Sequence, residues 1–148
     1  MATALVFEIE QFYIRHVNQR ADLFKSWEEI KKHPRSVEIF HVVVGKPFVV
    51  YESLAGEIGG FDPMIAKAVI LSYGSMAVLL DLMKAYEQIH TSGEDLAHIE
   101  QMRTKIREQV NQTLAFMVLA CKALSALSGT DFATLVIAKE TAPLPCAS

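Results

Sequence analysis

The stretch DPMIAKAVILSYGSMAVLLDLMKAYEQIH, residues 62–90, decides the fold. Asp62 and Pro63 are typical of a helix start, because an aspartate side chain caps the first free amides and proline suits the first helical position. The following residues are apolar on almost every side of a helix. The polar positions form one thin strip at intervals of seven residues: Lys67, Gly74, Asp81 and Gln88. Because such a helix is normally surrounded by other helices, a partner or lipid, we predict that 62–90 is the enclosed central helix of an all-α domain.

The segment before it begins with a long amphipathic pattern over residues 3–32. Its apolar residues recur at spacings of three and four: Leu5, Ile9, Phe12, Leu23, Trp27 and Ile30. His33-Pro34 ends the pattern, since proline disfavours helical geometry in the residue before it. We therefore predict one long helix from residue 3 to residue 32.

Residues 36–58 are open to two interpretations. The β-branched stretch 36–44, with Gly45-Lys46 as a tight turn, is compatible with a hairpin that pairs 39–44 with 48–51. The alternative is a short helix from Ser36, a break at Gly45 and a second short helix over 47–58, which Gly59-Gly60 would end. Helical spacing favours the second alternative for its latter half, at Phe48, Tyr51, Leu54, Ala55 and Ile58.

A last long helix is predicted over 94–128. Ser92 and Asp95 resemble a capping box at its start. The connection of three residues, 91–93, predicts that this helix lies antiparallel to the central one. Residues 130–140 are compatible with a short helix, with 134–138 as an extended alternative. The sequence thus predicts an all-α bundle of three long helices plus two or three short ones, forming a single domain over 1–140 with a loose tail over 141–148.

Composition restricts the kinds of partner. The chain has 148 residues, a 51% hydrophobic fraction and a net charge of −3, so it can bury a core without metal or disulfide support and has no broad basic field for nucleic acid. The surplus apolar surface predicts contact with another molecule. Neither a secretory signal nor an uncharged run of the ~20 residues that a membrane span needs is visible. We therefore expect a cytoplasmic protein, with attachment to the inner membrane surface as the alternative.

Two Glu-x-x-His tetrads are the strongest metal-like pattern. Glu38 with His41, and Glu87 with His90, would each place two ligands on one helix face, as in di-iron bundles. Four further carboxylates are available to complete such a set: Glu8, Glu10, Glu100 and Glu108. However, the first tetrad lies in the β-branched stretch and the second at a helix end. We therefore interpret these residues as surface groups and predict no metal, no cofactor and no catalytic residue.

The stretch PFVVYESLAGEIG, residues 47–59, together with Asp62-Pro63 and the apolar run up to Tyr73, resembles a set of uncharacterised bacterial small helical proteins. The resemblance covers about residues 8 to 90. It implies a helix over Pro47–Ile58 and a long helix like Glu8–Lys32. Such proteins usually carry an amino-terminal membrane anchor; this chain lacks a span before Glu8, and Met1 to Phe7 is compatible with the stub of one. The resemblance implies no activity.

These observations favour a non-enzymatic helical interaction module that self-associates or docks on a membrane or membrane protein. The expected partner is a second copy or another protein, with a membrane surface as a further candidate. A small-molecule binder with an apolar pocket between helices near Gly74 is the first alternative. A metal-dependent enzyme using Glu38, His41, Glu87 and His90 is the second.

Overall fold

The computed structural model describes residues 1–17, 48–91 and 95–141 of the chain. In those residues there are helices and no strand, which confirms the all-α prediction. In chain order the helices are α1 (Ala2–His16), α2 (Val49–Ile58), α3 (Pro63–Thr91), α4 (Leu96–Ser128), a 3-10 helix (Phe132–Thr134) and α5 (Val136–Thr141).

Aspartate caps set the start of both long helices. The Oδ1 atom of Asp62 accepts the backbone N–H of Met64 at 2.9 Å, which confirms the predicted start of α3. In α4 the cap is Asp95, whose Oδ1 accepts the Ala97 N–H at 3.3 Å. The prediction that Ser92 caps this helix was wrong, because the aspartate three residues later serves as the cap and the helix begins at Leu96.

α3 and α4 pack side by side in antiparallel orientation, as predicted. The Arg103 guanidinium donates to the Tyr86 hydroxyl at 3.3 Å, and the Thr113 hydroxyl donates to the Ser75 carbonyl at 3.3 Å. The side-chain amide of Gln109 donates to the same carbonyl at 3.2 Å. Contacts that move towards the start of α4 as they move towards the end of α3 establish the antiparallel direction.

Within the described part of the chain, α3 is covered on one side only, so the described helices do not enclose it as predicted. Its buried residues recur at spacings of three and four along the side that faces the core: Val69, Tyr73, Met76, Leu79, Leu80, Met83 and Tyr86. α4 is its one extensive neighbour, and α1 packs mainly against α4. Among the described helices, therefore, none packs along the opposite side of α3, where apolar residues remain exposed.

Two further predictions are corrected or refined. Of the helix predicted over 3–32, the described residues contain Ala2–His16, followed by a turn at Val17; residues 18–32 lie outside the described part, so the prediction for them stays a prediction. Val49–Ile58 is helical, which excludes strand for 49–51 and confirms the helical interpretation there. Residues 36–47 lie outside the described part.

The end of α4 requires a glycine. Gly129 follows Ser128 with φ of 73°, in the left-handed region, and the chain then turns into the 3-10 helix and α5. In place of the single short helix predicted over 130–140, there are two, Phe132–Thr134 and Val136–Thr141, with an extended backbone at Leu135 between them. The extended alternative predicted for 134–138 therefore holds at Leu135 alone.

Gly129→Ala is expected to lower the free energy of unfolding by about 1–2 kcal/mol, since an L side chain is strained at a left-handed backbone conformation. Gly56→Ala is the matched control. Gly56 lies inside α2 with open space where a Cβ would stand, so alanine there is expected to stabilise by about 0.5–1 kcal/mol. Urea denaturation measures both; equal effects of the two substitutions would contradict the assigned conformation.

Candidate functional site

The first candidate site is the exposed side of α3. We define the outer face of α3 by its exposed residues from one end of the helix to the other: Met64, Lys67, Ile70, Leu71, Gly74, Val78, Asp81, Lys84 and Gln88. Four of them are large apolar side chains with exposed fractions of 78% (Met64), 52% (Ile70), 38% (Leu71) and 48% (Val78). The strip of Lys67, Gly74, Asp81 and Gln88 is exposed as predicted, but it is flanked by apolar residues on both sides.

The exposed side of α4 has a different chemical character. From Glu100 to Gln112 its exposed positions carry charged, hydroxyl or amide side chains: Glu100, Gln101, Thr104, Lys105, Glu108, Asn111 and Gln112. Exposed apolar residues occur only further along, at Leu119 and Leu127 among the large ones. The exposed side of α4 is thus polar only from Glu100 to Gln112, whereas α3 has exposed large apolar residues from Met64 to Val78.

Charge and shape along the outer face are ordered around Gly74. Lys67 precedes Gly74 by seven residues and Asp81 follows it by seven, so the two opposite charges lie two helical turns away on either side. A Cβ placed on Gly74 would meet no atom within 4 Å. The middle of the face is therefore an open, shallow position between two opposite charges.

The second candidate site is half-buried and joins α1 to α2 and α3. The Glu8 carboxylate accepts three hydrogen bonds: from the Val50 N–H at 2.7 Å, the Tyr51 N–H at 3.0 Å and the Tyr73 hydroxyl at 2.9 Å. Val50 and Tyr51 lie in the first turn of α2, where free amides and the helix dipole favour a negative charge. Glu8 therefore caps α2 from a different helix, since Phe48 at the cap position makes no side-chain hydrogen bond.

A second carboxylate of α1 does the same for α5. The Oε1 atom of Glu10 lies 3.4 Å from the Val136 nitrogen at the start of α5, and the Tyr13 hydroxyl donates to Glu140 in that helix. The Oε2 atom of Glu10 is buried and has no hydrogen-bond partner among the described residues. Cys121 of α4 is a buried free thiol near this carboxylate. We call the whole group the tyrosine–carboxylate cluster: Glu8, Glu10, Tyr13, Tyr73, Cys121 and Glu140.

Aromatic rings surround the hydroxyl of Tyr73. The Tyr51 ring stacks on the Tyr73 ring with centroids 4.1 Å apart, and the Phe48 ring meets it edge-on at 5.4 Å. Phe12 extends the group, at 5.8 Å from Phe48 and 4.7 Å from the buried His16 ring. This apolar environment holds the phenol–carboxylate contact in a fixed geometry.

Burial favours the protonated form of the two phenols, Tyr13 and Tyr73, and of the Cys121 thiol. Burial, and then the charge of Glu8 and its hydrogen bond, raise the pKa of Tyr73 well above its ordinary value. Burial and then the hydrogen bond to Glu140 raise the pKa of Tyr13. Burial, followed by the charge of Glu10, raises the pKa of Cys121 to about 12. A protonated thiol is a poor nucleophile, so this arrangement suits a hydrogen-bonded clamp between helices.

The structure describes only part of the candidate metal set of Glu38, His41, Glu87 and His90. Glu38 and His41 lie outside the described residues, as does the side chain of His90; Glu87 is half-buried near the end of α3. Within the described ranges no three His, Cys, Asp or Glu side chains are close enough to hold a metal ion. The metal-dependent enzyme that would use these four residues therefore stays an alternative hypothesis. So does the apolar ligand pocket near Gly74, although that glycine itself lies on the exposed side of α3.

Two described helices have the length and composition of membrane spans: the Pro63–Ile89 part of α3 and the Ala97–Ser128 part of α4. The prediction that no full span is present depended on uncharged runs, whereas each of these helices contains an apolar window of 18 residues with at most two charged side chains. Within the fold, 39% of each window is buried. Core helices of soluble proteins pass the same test, so length and composition alone do not assign a location.

Comparison with known proteins adds no relative: no protein-family model, no curated protein and no solved structure matches the chain. The resemblance to uncharacterised bacterial helical proteins accordingly stays a prediction.

Glu8→Gln is expected to lower the free energy of unfolding by about 1–3 kcal/mol, because the amide keeps one acceptor oxygen and presents N–H groups to donors. Glu57→Gln, at an exposed position of α2, is the control and is expected to change stability by less than about 0.5 kcal/mol. In a double-mutant cycle, Glu8→Gln and Tyr73→Phe should be less destabilising together than the sum of the two. Additive effects would contradict the contact between these residues.

Stability is expected to fall at alkaline pH. Since the folded-state pKa values of Cys121, Tyr13 and Tyr73 are raised above their ordinary values of 9.0 for the thiol and 10.0 for the phenols, the unfolded chain loses these protons first. The stabilisation is complete below the ordinary pKa of each group and is lost as the pH rises above it, by about 1.4 kcal/mol per pH unit for each group. Urea denaturation at several pH values measures the slope.

Two substitutions assign the alkaline slope to these residues. Cys121→Ala should remove the loss of stability that begins at the ordinary thiol pKa of 9.0. Tyr73→Phe should reduce the slope above the ordinary phenol pKa of 10.0. A slope that is the same in both variants as in the parent protein would contradict the assignment.

Proposed function

We propose that this protein is a non-enzymatic helical interaction module and that the outer face of α3 is the surface that contacts another molecule. The observation that carries the proposal is the placement of Met64, Ile70, Leu71 and Val78 together on one exposed helix face. Exposed apolar residues that occur singly are ordinary, whereas a contiguous group of them is typical of an interaction site. The exposed side of α4 from Glu100 to Gln112, which is polar throughout, provides the internal comparison.

The energetics favour association through this face. Full burial of a Leu, Ile, Val or Met side chain is worth about 1.5–3 kcal/mol, so covering the exposed part of each residue contributes about 1 kcal/mol. The face lies on one continuous helix that α4 supports over its length. Because the side chains are already arranged on a rigid element, binding costs little ordering entropy.

The tyrosine–carboxylate cluster supports the same function from the core side. Tyr73 points into the core from the middle of α3, one residue before Gly74, and its bond to Glu8 connects α3 to α1. This connection and the hydrogen bonds of Ser75 to α4 hold the middle of α3 in place. The outer face is therefore presented as a fixed surface.

A membrane surface is the second candidate partner, and the observation that favours it is the apolar length of α3 and α4. In this interpretation the protein lies at the inner membrane surface with the outer face of α3 against the lipid. Asp81 argues against it, because its carboxylate lies within the face and lipid tails add no charged partner beyond Lys84 of the same helix. Association with another protein surface is thus our first choice.

The double variant Leu71→Gln/Val78→Gln is expected to abolish association while the protein remains folded, because both residues are already exposed and glutamine is a good helix former. Leu119→Gln, at an exposed residue of α4, is the control and should leave association unchanged. Light scattering compares the measured mass with the 16.5 kDa of one chain, and vesicle flotation measures lipid binding.

Two results would contradict the proposed function. One is a parent protein that stays monomeric at high concentration and has no affinity for vesicles or any protein. The other is association that the double variant and the Leu119→Gln control reduce equally.

A further inference from the structure

We propose that the partner of the outer face is a second copy of this chain, and that the two α3 helices pair antiparallel about a two-fold axis that passes through Gly74. This inference rests on the proposed function and specifies its partner. Two-fold symmetric pairs use the same surface of both subunits, so the face must be complementary to itself. The order of charges along α3 meets that requirement.

Symmetry about Gly74 brings opposite charges together. In an antiparallel pair a residue seven positions before Gly74 lies opposite the residue seven positions after it in the other copy. Lys67 of one copy is therefore opposite Asp81 of the other, and Asp81 opposite Lys67, at about 10 Å on either side of the axis. Each dimer thus contains two intermolecular ion pairs made from the two charges that flank the glycine.

The other orientation is disfavoured by the same residues. A parallel pair in register places Lys67 against Lys67 and Asp81 against Asp81. Like charges placed opposite one another at an interface select against that arrangement. The two charges therefore specify the antiparallel direction as well as the register.

Two of the four exposed apolar residues, Ile70 and Val78, fit the same axis. Ile70 and Val78 lie four positions before and after Gly74, so each meets the other across the interface about one helical turn from the axis. Both side chains are about half exposed in the single chain. At the axis itself Gly74 faces Gly74, and because no atom occupies the space next to it, the two helix backbones can approach closely.

A second copy also satisfies Asp81 better than lipid does. The exposed charged residues of the face are Lys67, Asp81 and Lys84. Lys84 lies three residues after Asp81 on the same helix, so each chain already places one cation near this carboxylate. A second copy adds Lys67 at the matching position, whereas lipid tails add no charged group. The balance of one acid against nearby lysines thus favours self-association over a membrane as the occupant.

Charge reversal tests the pairing. By light scattering or sedimentation over a concentration series, Lys67→Glu alone and Asp81→Lys alone are each expected to weaken dimer formation about tenfold to a hundredfold, because each change creates two like-charge contacts per dimer. The double variant Lys67→Glu/Asp81→Lys restores opposite charges and is expected to recover the affinity to within about threefold. Lys122→Glu, on the exposed side of α4, is the control for a simple change of net charge.

Cysteine cross-linking tests the register independently. In a Cys146→Ser background, with Cys121 buried, Gly74→Cys is expected to form a disulfide-linked dimer under mild oxidation. Neither Lys67→Cys alone nor Asp81→Cys alone is expected to form one, because residue 67 of one copy lies opposite residue 81 of the other. A mixture of the two variants should give the linked heterodimer.

The outcomes separate this inference from the proposed function. Recovery in the double charge variant, with cross-linking in the mixture, supports the antiparallel dimer. Suppose that Leu71→Gln/Val78→Gln abolishes the dimer, but the charge reversals leave its affinity unchanged or Lys67→Cys alone forms the cross-link. This result overturns the antiparallel pair and leaves the proposed function standing. A monomer that binds vesicles through this face overturns the claim that the partner is a second copy, and it too leaves the proposed function standing. A monomer in which the thiol introduced by Gly74→Cys does not react with a water-soluble maleimide overturns both the second copy and the proposed function, because another segment of the same chain then covers the face.

Discussion

The packing of α3 against α4 is the contact on which the rest of the structure depends. At its centre the Ser75 carbonyl accepts hydrogen bonds from both Gln109 and Thr113, and towards one end the Tyr86 hydroxyl accepts from the buried Arg103. These polar contacts lie within an otherwise apolar seam, where a mismatch would leave buried groups unsatisfied. They fix the register of the two helices, which apolar side chains alone specify less strictly. Once that register is set, the direction of the outer face of α3 is set as well.

α1 attaches the shorter helices to this pair through its carboxylates. Glu8 caps α2 and Glu10 lies at the start of α5, so two acidic residues two positions apart on α1 compensate the free amides of two separate helices. A helix of ten residues and one of six have little stability on their own. Their positions therefore depend on contacts with α1, and Tyr73 connects the same carboxylate to α3.

The sequence predicted those features that are encoded locally. Asp62 and Pro63 identified the start of α3, helical spacing identified α2, and the short connection after α3 predicted its antiparallel neighbour. The tyrosine–carboxylate cluster was not predicted: Glu8 was considered only as a member of a metal set. The partners of Glu8 lie 42 to 65 residues away and Glu140 lies 127 residues from Tyr13, and no local pattern indicates which distant groups meet. The exposed side of α3 was missed for a related reason, since an apolar sequence does not show whether its own chain or another molecule covers it.

The seven-residue repeat of Lys67, Gly74, Asp81 and Gln88 illustrates that ambiguity. As a pattern it is typical of a narrow solvent strip on an enclosed helix. In the structure the same strip is the midline of an exposed face whose flanks are apolar, with Leu71 and Val78 on one side and Ile70 on the other. Polar positions beside apolar ones also occur where one helix pairs with another, since the polar positions then determine register and the apolar ones supply affinity. Because α4 occupies the core side of α3, the pairing that we propose uses the opposite side.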